Sequence, residues 1–411
     1  MKRTLVIIGG GASGLMSAIS AKSAVPGIAV ILLERLDRVG KKLLATGNGR
    51  CNFTNTKLTL DNYCGEDTRF ADAALSGFTV SDTIAFFERL GIVPRVENGG
   101  KVFPYSGAAA SVLDALRSES ERLGVKTVCG VTVKSILSAD GGFLLLSDGE
   151  EYLADAVIVA GGGKASPSLG SDGSCLELMK SLGHSVSALT PALVQLKTPS
   201  DEVKALQGIK VVCAAYSLCN GRRVKSDAGE VLFTSYGLSG PPIFQLSSGC
   251  ALGALDAIEL DLTPEIEARD LEEMLVLRRK NLSHLTCEGF FTGFINKRVG
   301  NLIFRRCGVQ KLSIPVNAIT DRLTRDLAAC IKSLRFDISG TNGWENAQVT
   351  AGGLRVNQFD PDTLMSRLHP GLFCAGEIFD IFGDCGGYNL QWAWSSGYLA
   401  GISAAVSIDN L

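Results

Sequence analysis

Gly9, Gly11 and Gly14 stand in the spacing G-x-G-x-x-G, and a glutamate, Glu34, follows twenty residues after the last of them. These residue types at these intervals suit a dinucleotide. Gly9 permits a tight turn, Gly11 lets the backbone approach a pyrophosphate, and Gly14 allows close packing of the helix that follows. At the start of that helix, around Ala12 and Ser13, free N–H groups and the positive end of the helix dipole would face the phosphates. Glu34 can accept hydrogen bonds from an adenosine ribose, and its charge would repel a bare 2′-phosphate, which disfavours an NADP-type ligand.

The motif needs a strand before it and a helix after it, and the flanking residues provide both. Leu5-Val6-Ile7-Ile8 is a continuous apolar run, as expected of a buried parallel strand, and the helical pattern runs from Leu15 to Ala24. A second apolar run, Ile28 to Leu33, leads into Glu34. Met1-Lys2-Arg3 ahead of an apolar stretch superficially suggests a leader, but the stretch ends at Ile8 and reads as a strand.

The next segment favours FAD over NAD. Arg38 to Asn52 is dense in glycine, amide and cation donors, where a simple dehydrogenase would normally proceed to its next helix. Lys42, Asn48, Gly49, Arg50, Cys51 and Asn52 could wrap an extended ligand and bond its phosphate, ribityl or flavin oxygens. The apolar run from Ala154 to Ala160 ends in Gly161-Gly162-Gly163, so the chain again passes close to something at a strand's carboxyl end. Gly371 to Glu377 repeats the theme with Gly376 and an acid, and Gly386-Gly387-Tyr388-Asn389 then opens a helix through Gln391 to Ala400. Its N–H groups suit the negative charge of a reduced flavin, and Glu377 or Asp380 would hold ribityl hydroxyls.

These residues together resemble a family of bacterial flavoproteins described as NAD(P)/FAD-dependent or aminoacetone-oxidase-like oxidoreductases, which includes bile-acid Δ4,6-reductases. The resemblance spans essentially the whole chain. Its most specific elements are Lys42 to Asn52, Leu232-Phe233-Thr234 with Gly237-Leu238-Ser239-Gly240-Pro241, and Ala347 to Gly353 with Val356. It implies FAD held by Gly9, Gly11, Gly14, Glu34, the segment Asn48 to Asn52, a backbone contact from Val131 to the adenine, and the segment Gly376 to Asn389. One departure is that such proteins often carry histidine after the threonine of the Phe-Thr-x-x-Gly-Leu-Ser-Gly motif, where this chain has Ser235 and then Tyr236. An acid-base role at that position is thereby weakened.

The elements that must position these residues are those of an α/β protein. With 411 residues, 46% of them hydrophobic, the chain can bury more than one core. The expected fold is a Rossmann-like FAD-binding domain, discontinuous over 1–190 and 341–411, with an inserted β-rich subdomain over 191–263 and about 335–355. That insertion carries a small helical subdomain at 264–334. Strands are expected at Ala192–Leu196, Lys210–Leu218, Leu255–Leu262 and Gln348–Val356. Helical character is expected over Pro264–Lys280, Phe290–Phe304 and Asp321–Leu334.

Composition narrows the partners. Forty basic against forty-two acidic residues give a net charge of −2 without a long like-charge run, so nucleic acid is not the expected partner. No run approaches the roughly 18 apolar residues of a membrane span, so a cytoplasmic protein is expected. Its twelve cysteines lack a C-x-x-C pair and its three histidines lack ligand spacing, so no metal is expected.

The isoalloxazine of a flavin carries the electrons itself, so a missing catalytic triad is no objection. The leading expectation is that NADH or NADPH reduces the flavin, which then delivers hydride to an electron-poor C=C of a small apolar or amphipathic substrate, with Tyr236, Tyr388 or Cys51 as candidate proton donors. No second G-x-G-x-x-G follows a strand, so a nicotinamide nucleotide would visit only transiently. Two alternatives stay open: an amine oxidase reoxidised by oxygen, and a flavin-bearing redox sensor without turnover.

Overall fold

The structure, a computed structural model, describes residues 3–139, 141–248 and 255–409. Met1 and Lys2 of the short leader-like stretch lie outside the described residues. The chain divides into two compact units: the first runs to Pro191 and resumes at Trp344, and the second is Ala192–Gly343.

In the first unit the apolar runs become parallel strands because both of their faces are covered. They are β1 (Thr4–Ile8), β2 (Ala29–Glu34), β3 (Lys126–Cys129), β4 (Ala156–Val159) and β5 (Leu372–Cys374), in the order β5-β4-β1-β2-β3. All four pairings are parallel. Ile8 lies opposite Leu33 on one side and Val159 on the other, and Val159 lies opposite Cys374. The residues that follow, Glu34, Gly9, Ala160 and Ala375, therefore leave the sheet along one edge. That register collects segments far apart in the chain at a single place, the carboxyl edge where open α/β sheets bind ligands.

Two helices lie against each other over this sheet, α1 (Ala12–Ala24) and α2 (Tyr388–Asp409). Small residues let them approach. A Cβ at Gly397 would come within 2.5 Å of the Ser13 carbonyl oxygen, and one at Gly401 within 2.4 Å of the Ser17 carbonyl oxygen. Ser13, Ser17 and Ser20 are all buried in this crossing. Helix α1 starts at Ala12, three residues before the apolar pattern suggests.

Between β3 and β4 the chain makes an antiparallel meander, Val133–Ala139, Gly142–Ser147 and Glu151–Ala154. The donor-rich segment after β2 is not wholly loop, since Lys41–Ala45 is a short helix. The extended run expected over Gln348–Val356 shrinks to Val349–Ala351, after which the backbone turns at Gly352 with φ +90°.

The second unit is built on a seven-stranded sheet. Its centre is the long hairpin Lys210–Cys219 and Arg222–Phe233, turned through Asn220-Gly221 with positive φ at both. Helices Ala268–Asn281, Lys297–Arg306 and Asp321–Lys332 share one core with that sheet, through Leu271, Phe304 and Leu327 beside Phe233 and Phe336. The helical character expected from Phe290 onward begins as helix only at Lys297, because Cys287–Gly289 and the turns after it come first. Among the described residues, no helix of either unit is long and apolar enough to cross a membrane.

Candidate functional site

The turn from β1 into α1 is packed so closely that side chains are excluded on one side and space is left on the other. A Cβ at Gly14 would stand 1.8 Å from the Gly9 carbonyl oxygen, and Gly9 itself has φ +104° with Ala160 against it. At Gly11 nothing lies within 4 Å of the Cβ position. Helix α1 opens here with no side-chain cap and no acidic residue in its first turn. An open, side-chain-free cradle beneath uncapped N–H groups fits a pyrophosphate.

Glu34, only 9% exposed, is fastened by its own backbone surroundings. Oε2 accepts from the Gly10 N–H at 2.8 Å and Oε1 from the Leu36 N–H at 2.9 Å. These bonds hold the carboxylate at the end of β2, and each oxygen keeps a further lone pair for a ribose hydroxyl. Val131 donates its N–H to the Glu34 carbonyl at 3.0 Å, so an adenine contact there would fall to the Val131 carbonyl.

The donor-rich segment divides into parts with different engagements. Lys42, in the short helix, forms an ion pair with Glu377 at 2.7 Å. Asn48 and Gly49 are exposed in a turn with left-handed backbone at both. The Arg50 guanidinium is taken by Glu97, at 2.5 Å, and lies 4.1 Å from the centre of the Phe103 ring. Asn52 is 9% exposed and accepts from the Val102 N–H at 3.1 Å. Cys51 is fully buried with φ +59°, and burial pushes its thiol up to about 12 against a weaker opposing hydrogen bond from Thr46.

At the next strand end Gly161 and Gly162 pass tightly under neighbours: a Cβ would meet Cys175 Sγ at 2.2 Å and Ser171 Oγ at 2.9 Å respectively. Thr350 links this turn to the C-terminal segment. Its Oγ1 accepts from the N–H groups of Lys164 at 2.7 Å and Ala165 at 3.0 Å, and donates to Glu377 Oε1 at 2.9 Å. Glu377 also accepts from the Thr350 N–H at 2.9 Å. Its carboxylate therefore joins three segments of the site. A Cβ at Gly376 would fall 2.5 Å from Ser13 Oγ, and the Gly376 carbonyl accepts from Trp392 Nε1 at 3.0 Å.

Asp380 is 7% exposed, and its carboxyl is raised above the usual range by burial and then by the charge of Glu66, with Ser187 and the Gly352 N–H as hydrogen-bond partners. Gly387, with φ +101°, fits against the Thr54 carbonyl, where a Cβ would stand 2.5 Å away. Tyr388 begins α2 at 9% exposure, and its phenol is raised by burial and then by Asp384 and Cys385. The Asn389 side chain clasps Gly383, accepting from its N–H at 2.7 Å and donating to its carbonyl at 2.8 Å. That amide shapes the loop before α2. Tyr236 belongs to the second unit, half-buried, with its carbonyl accepting from Thr198.

Residue-by-residue reading of the sequence did not single out Thr350 or Gln391. Gln391 is fully buried and binds Thr54, Phe78, Thr83 and Ser395 together, which holds the start of α2 against the segment after Asn52. A buried amide in a helix otherwise rich in apolar and small residues was the available signal.

The chain matches the family described as "HI0933-like protein Rossmann domain" over residues 3–403. It is 41% identical over 403 residues to the 3-dehydro-bile acid delta(4,6)-reductase of Clostridium scindens, covering 97% of this chain and 98% of that one. Over 400 residues it is 31% identical to the ribosomal RNA dihydrouridine synthase of Escherichia coli, covering 96% of each. Among solved structures, a quinol-fumarate reductase with menaquinol shares the fold, with a TM-score of 0.52 and 16% identity over 100% of this chain and 72% of that chain.

Proposed function

The chain belongs to the HI0933-like Rossmann family, and on that premise we propose that it is an FAD-dependent oxidoreductase which takes reducing equivalents from NADH or NADPH and saturates a C=C bond conjugated to a ketone. The substrate class we favour is a 3-oxo-4-ene or 3-oxo-4,6-diene steroid, a small and largely apolar molecule. The observation that carries this reading is the 41% identity, over 97% of the chain, to a protein whose name denotes that reaction. Dihydrouridine, named for the second relative, is likewise a ring saturated at a C=C conjugated to a carbonyl. The common chemistry is hydride addition to an electron-poor alkene.

Bound FAD would supply the hydride chemistry. The chain's own residues would hold and orient it. The cradle at Gly11 and the first N–H groups of α1, at Ala12 and Ser13, would take the pyrophosphate, and Glu34 the adenosine ribose. The Lys42–Glu377–Thr350 linkage would fix the segments that flank the flavin, Asn48 to Asn52, Gly161-Gly162 and Gly376 to Asp380. The N–H groups that open α2 after Gly387 would face negative charge on the flavin edge. Of the candidate proton donors we favour Tyr388, since Cys51 has no exposed surface from which to reach a substrate.

The E. coli relative favours a second reading, reduction of a uridine base in ribosomal RNA. One experiment separates these. The purified chain is examined for a flavin absorption band, reduced anaerobically with NADH or NADPH, and then offered a 3-oxo-4-ene steroid or ribosomal RNA. Reoxidation by the steroid supports the first reading, and dihydrouridine formed in the RNA supports the second. Bleaching by amines alone would move the assignment to an amine oxidase, and a chain that takes up no FAD would overturn every flavin reading.

A further inference from the structure

We infer that Cys307 and Cys330 form a dithiol site that reacts with a low-molecular-weight disulfide and closes reversibly into an intramolecular disulfide, an inference independent of the flavin reading above. Cys307 follows the carboxyl end of helix Lys297–Arg306, and Cys330 lies two residues before the end of helix Asp321–Lys332. Both helices belong to the core of the second unit, and the two cysteines sit half-buried at its margin, packed against it rather than within it. There their side chains are hydrogen-bonded to each other, Cys307 donating and Cys330 accepting. The pair thus combines contact between two thiols with a place at the surface where a small reagent can approach. Cys51, Cys213, Cys287 and Cys374, by contrast, are buried.

The surroundings give the two sulfurs different roles. The hydrogen bond from Cys307 lowers the Cys330 thiol, against its burial, and the charge of Arg306 lowers it further while that of Glu202 opposes. The Arg306 guanidinium is fixed in place: it donates to Glu202 Oε2 at 3.1 and 2.7 Å and to the Arg335 carbonyl at 2.6 Å, and lies 4.6 Å from the centre of the Phe336 ring. Cys307 is kept protonated by the same hydrogen bond, then by burial and by the charges of Cys330 and Asp326. Cys330 is therefore the attacking sulfur and Cys307 the resolving one. In the first step Cys330 gives up its proton and bonds one sulfur of the small disulfide, whose S–S bond breaks and whose other sulfur leaves and takes up a proton. With Cys330 held in that mixed disulfide, its negative charge no longer keeps Cys307 protonated. Cys307 then ionises and attacks Cys330 Sγ, releasing the second small thiol. The protein pair loses two electrons and two protons, and the small disulfide gains both in becoming two thiols. Sulfurs already in hydrogen-bonding contact have only to close to about 2.05 Å.

The test uses the full chain, reduced, freed of reductant and incubated without air with glutathione disulfide, after which the remaining thiols are alkylated and the chain is digested for mass spectrometry. Two of the twelve thiols should be lost, the intact mass should fall by two hydrogens, and one crosslinked peptide should join Cys307 to Cys330, with dithiothreitol reversing all three. The closed chain should melt a few degrees higher, since the bond ties off residues 308–329 and restricts the unfolded chain. Cys307→Ser should stop at a mixed disulfide on Cys330, and Cys330→Ser should react roughly tenfold more slowly. A chain that keeps all twelve thiols, a wild type that stops at the mixed disulfide, a crosslink between other cysteines instead, or a Cys307–Cys330 crosslink formed only in urea would each overturn the proposal. None of these outcomes depends on whether the chain binds FAD.

Discussion

Lys42 and Glu377, 335 residues apart in the chain, meet in an ion pair of 2.7 Å whose side chains are 26% and 20% exposed. The pair joins the segment after β2 to the segment after β5, with Thr350 bound to the second oxygen of the same carboxylate. Glu377→Gln keeps an acceptor for Thr350 but removes the charge that holds Lys42. It should weaken FAD binding about tenfold, with a coupling of roughly 1–2 kcal/mol to Lys42→Met in a double-mutant cycle. Additive losses in the cycle would show that the pair does not act as a unit.

Gly11 and Gly14 separate the needs of the ligand from those of the fold. Gly14→Ala forces a Cβ to within 1.8 Å of the Gly9 carbonyl oxygen, a clash with backbone that should destabilise the flavin-free chain by several kcal/mol. Gly11 has φ −82° and open space around it, so Gly11→Ala should leave the flavin-free chain as stable or up to about 1 kcal/mol more stable. Its FAD affinity should nonetheless fall by a hundredfold or more, since the methyl occupies the cradle. Urea titration of both variants with and without FAD measures the contrast, and a Gly11→Ala chain that retains full affinity would remove the pyrophosphate from that position.

Tyr388 and Cys51 are distinguished by access. Tyr388→Phe should lower the rate of enone-dependent reoxidation on the order of a hundredfold, as expected for loss of a proton donor, while the rate of reduction by NADH or NADPH changes little. Cys51→Ala should leave both rates within a factor of about three if its burial is purely structural. Stopped-flow traces of the oxidised-flavin absorption band follow both half-reactions. The opposite pattern would make the thiol the donor.

His184 gives the fold a pH dependence unrelated to the site. It is 3% exposed, its Nε2 lies 3.1 Å from Ser366 Oγ, and burial followed by the charge of His369 lowers it from 6.5 to about 4. Between those values the unfolded chain binds the proton and the folded chain does not. The stabilisation from keeping His184 neutral is therefore complete above pH 6.5 and is lost as pH falls toward 4, amounting to roughly 3 kcal/mol. Denaturant midpoints should drop through that interval, and His184→Gln should flatten the drop. An equal slope in the variant would place the acid sensitivity elsewhere.

The local parts of the site were legible from neighbouring residues. Strand, glycine turn, helix and Glu34 occupy one short stretch, and each glycine's role depends on atoms close by in sequence. The strand ends at Gly161 and Gly376 were legible because apolar runs stop at glycine. Partners supplied by distant segments were not. Arg50, expected to bind a ligand, is engaged by Glu97, and Asn389 is engaged by Gly383. The engagement of Thr350 exists only once the turn after β4 folds against it. Helix α1 hid its first turn because its serines and glycine are buried against α2, so the apolar periodicity that marks a one-sided helix is absent.

The crossing of α1 with α2 also bears on how the protein is made. Ser20 donates to the Gly397 carbonyl across 377 residues of chain. At the usual pace of a ribosome, about 5–20 residues per second, on the order of half a minute separates synthesis of the two helices. Throughout that interval α1 has no mate for its serine-lined face, and the nascent chain must make all of the second unit before α2 emerges. The glycine turn is thus translated well before the helix that completes its surroundings, and chaperones have a long window in which to hold the uncovered sheet.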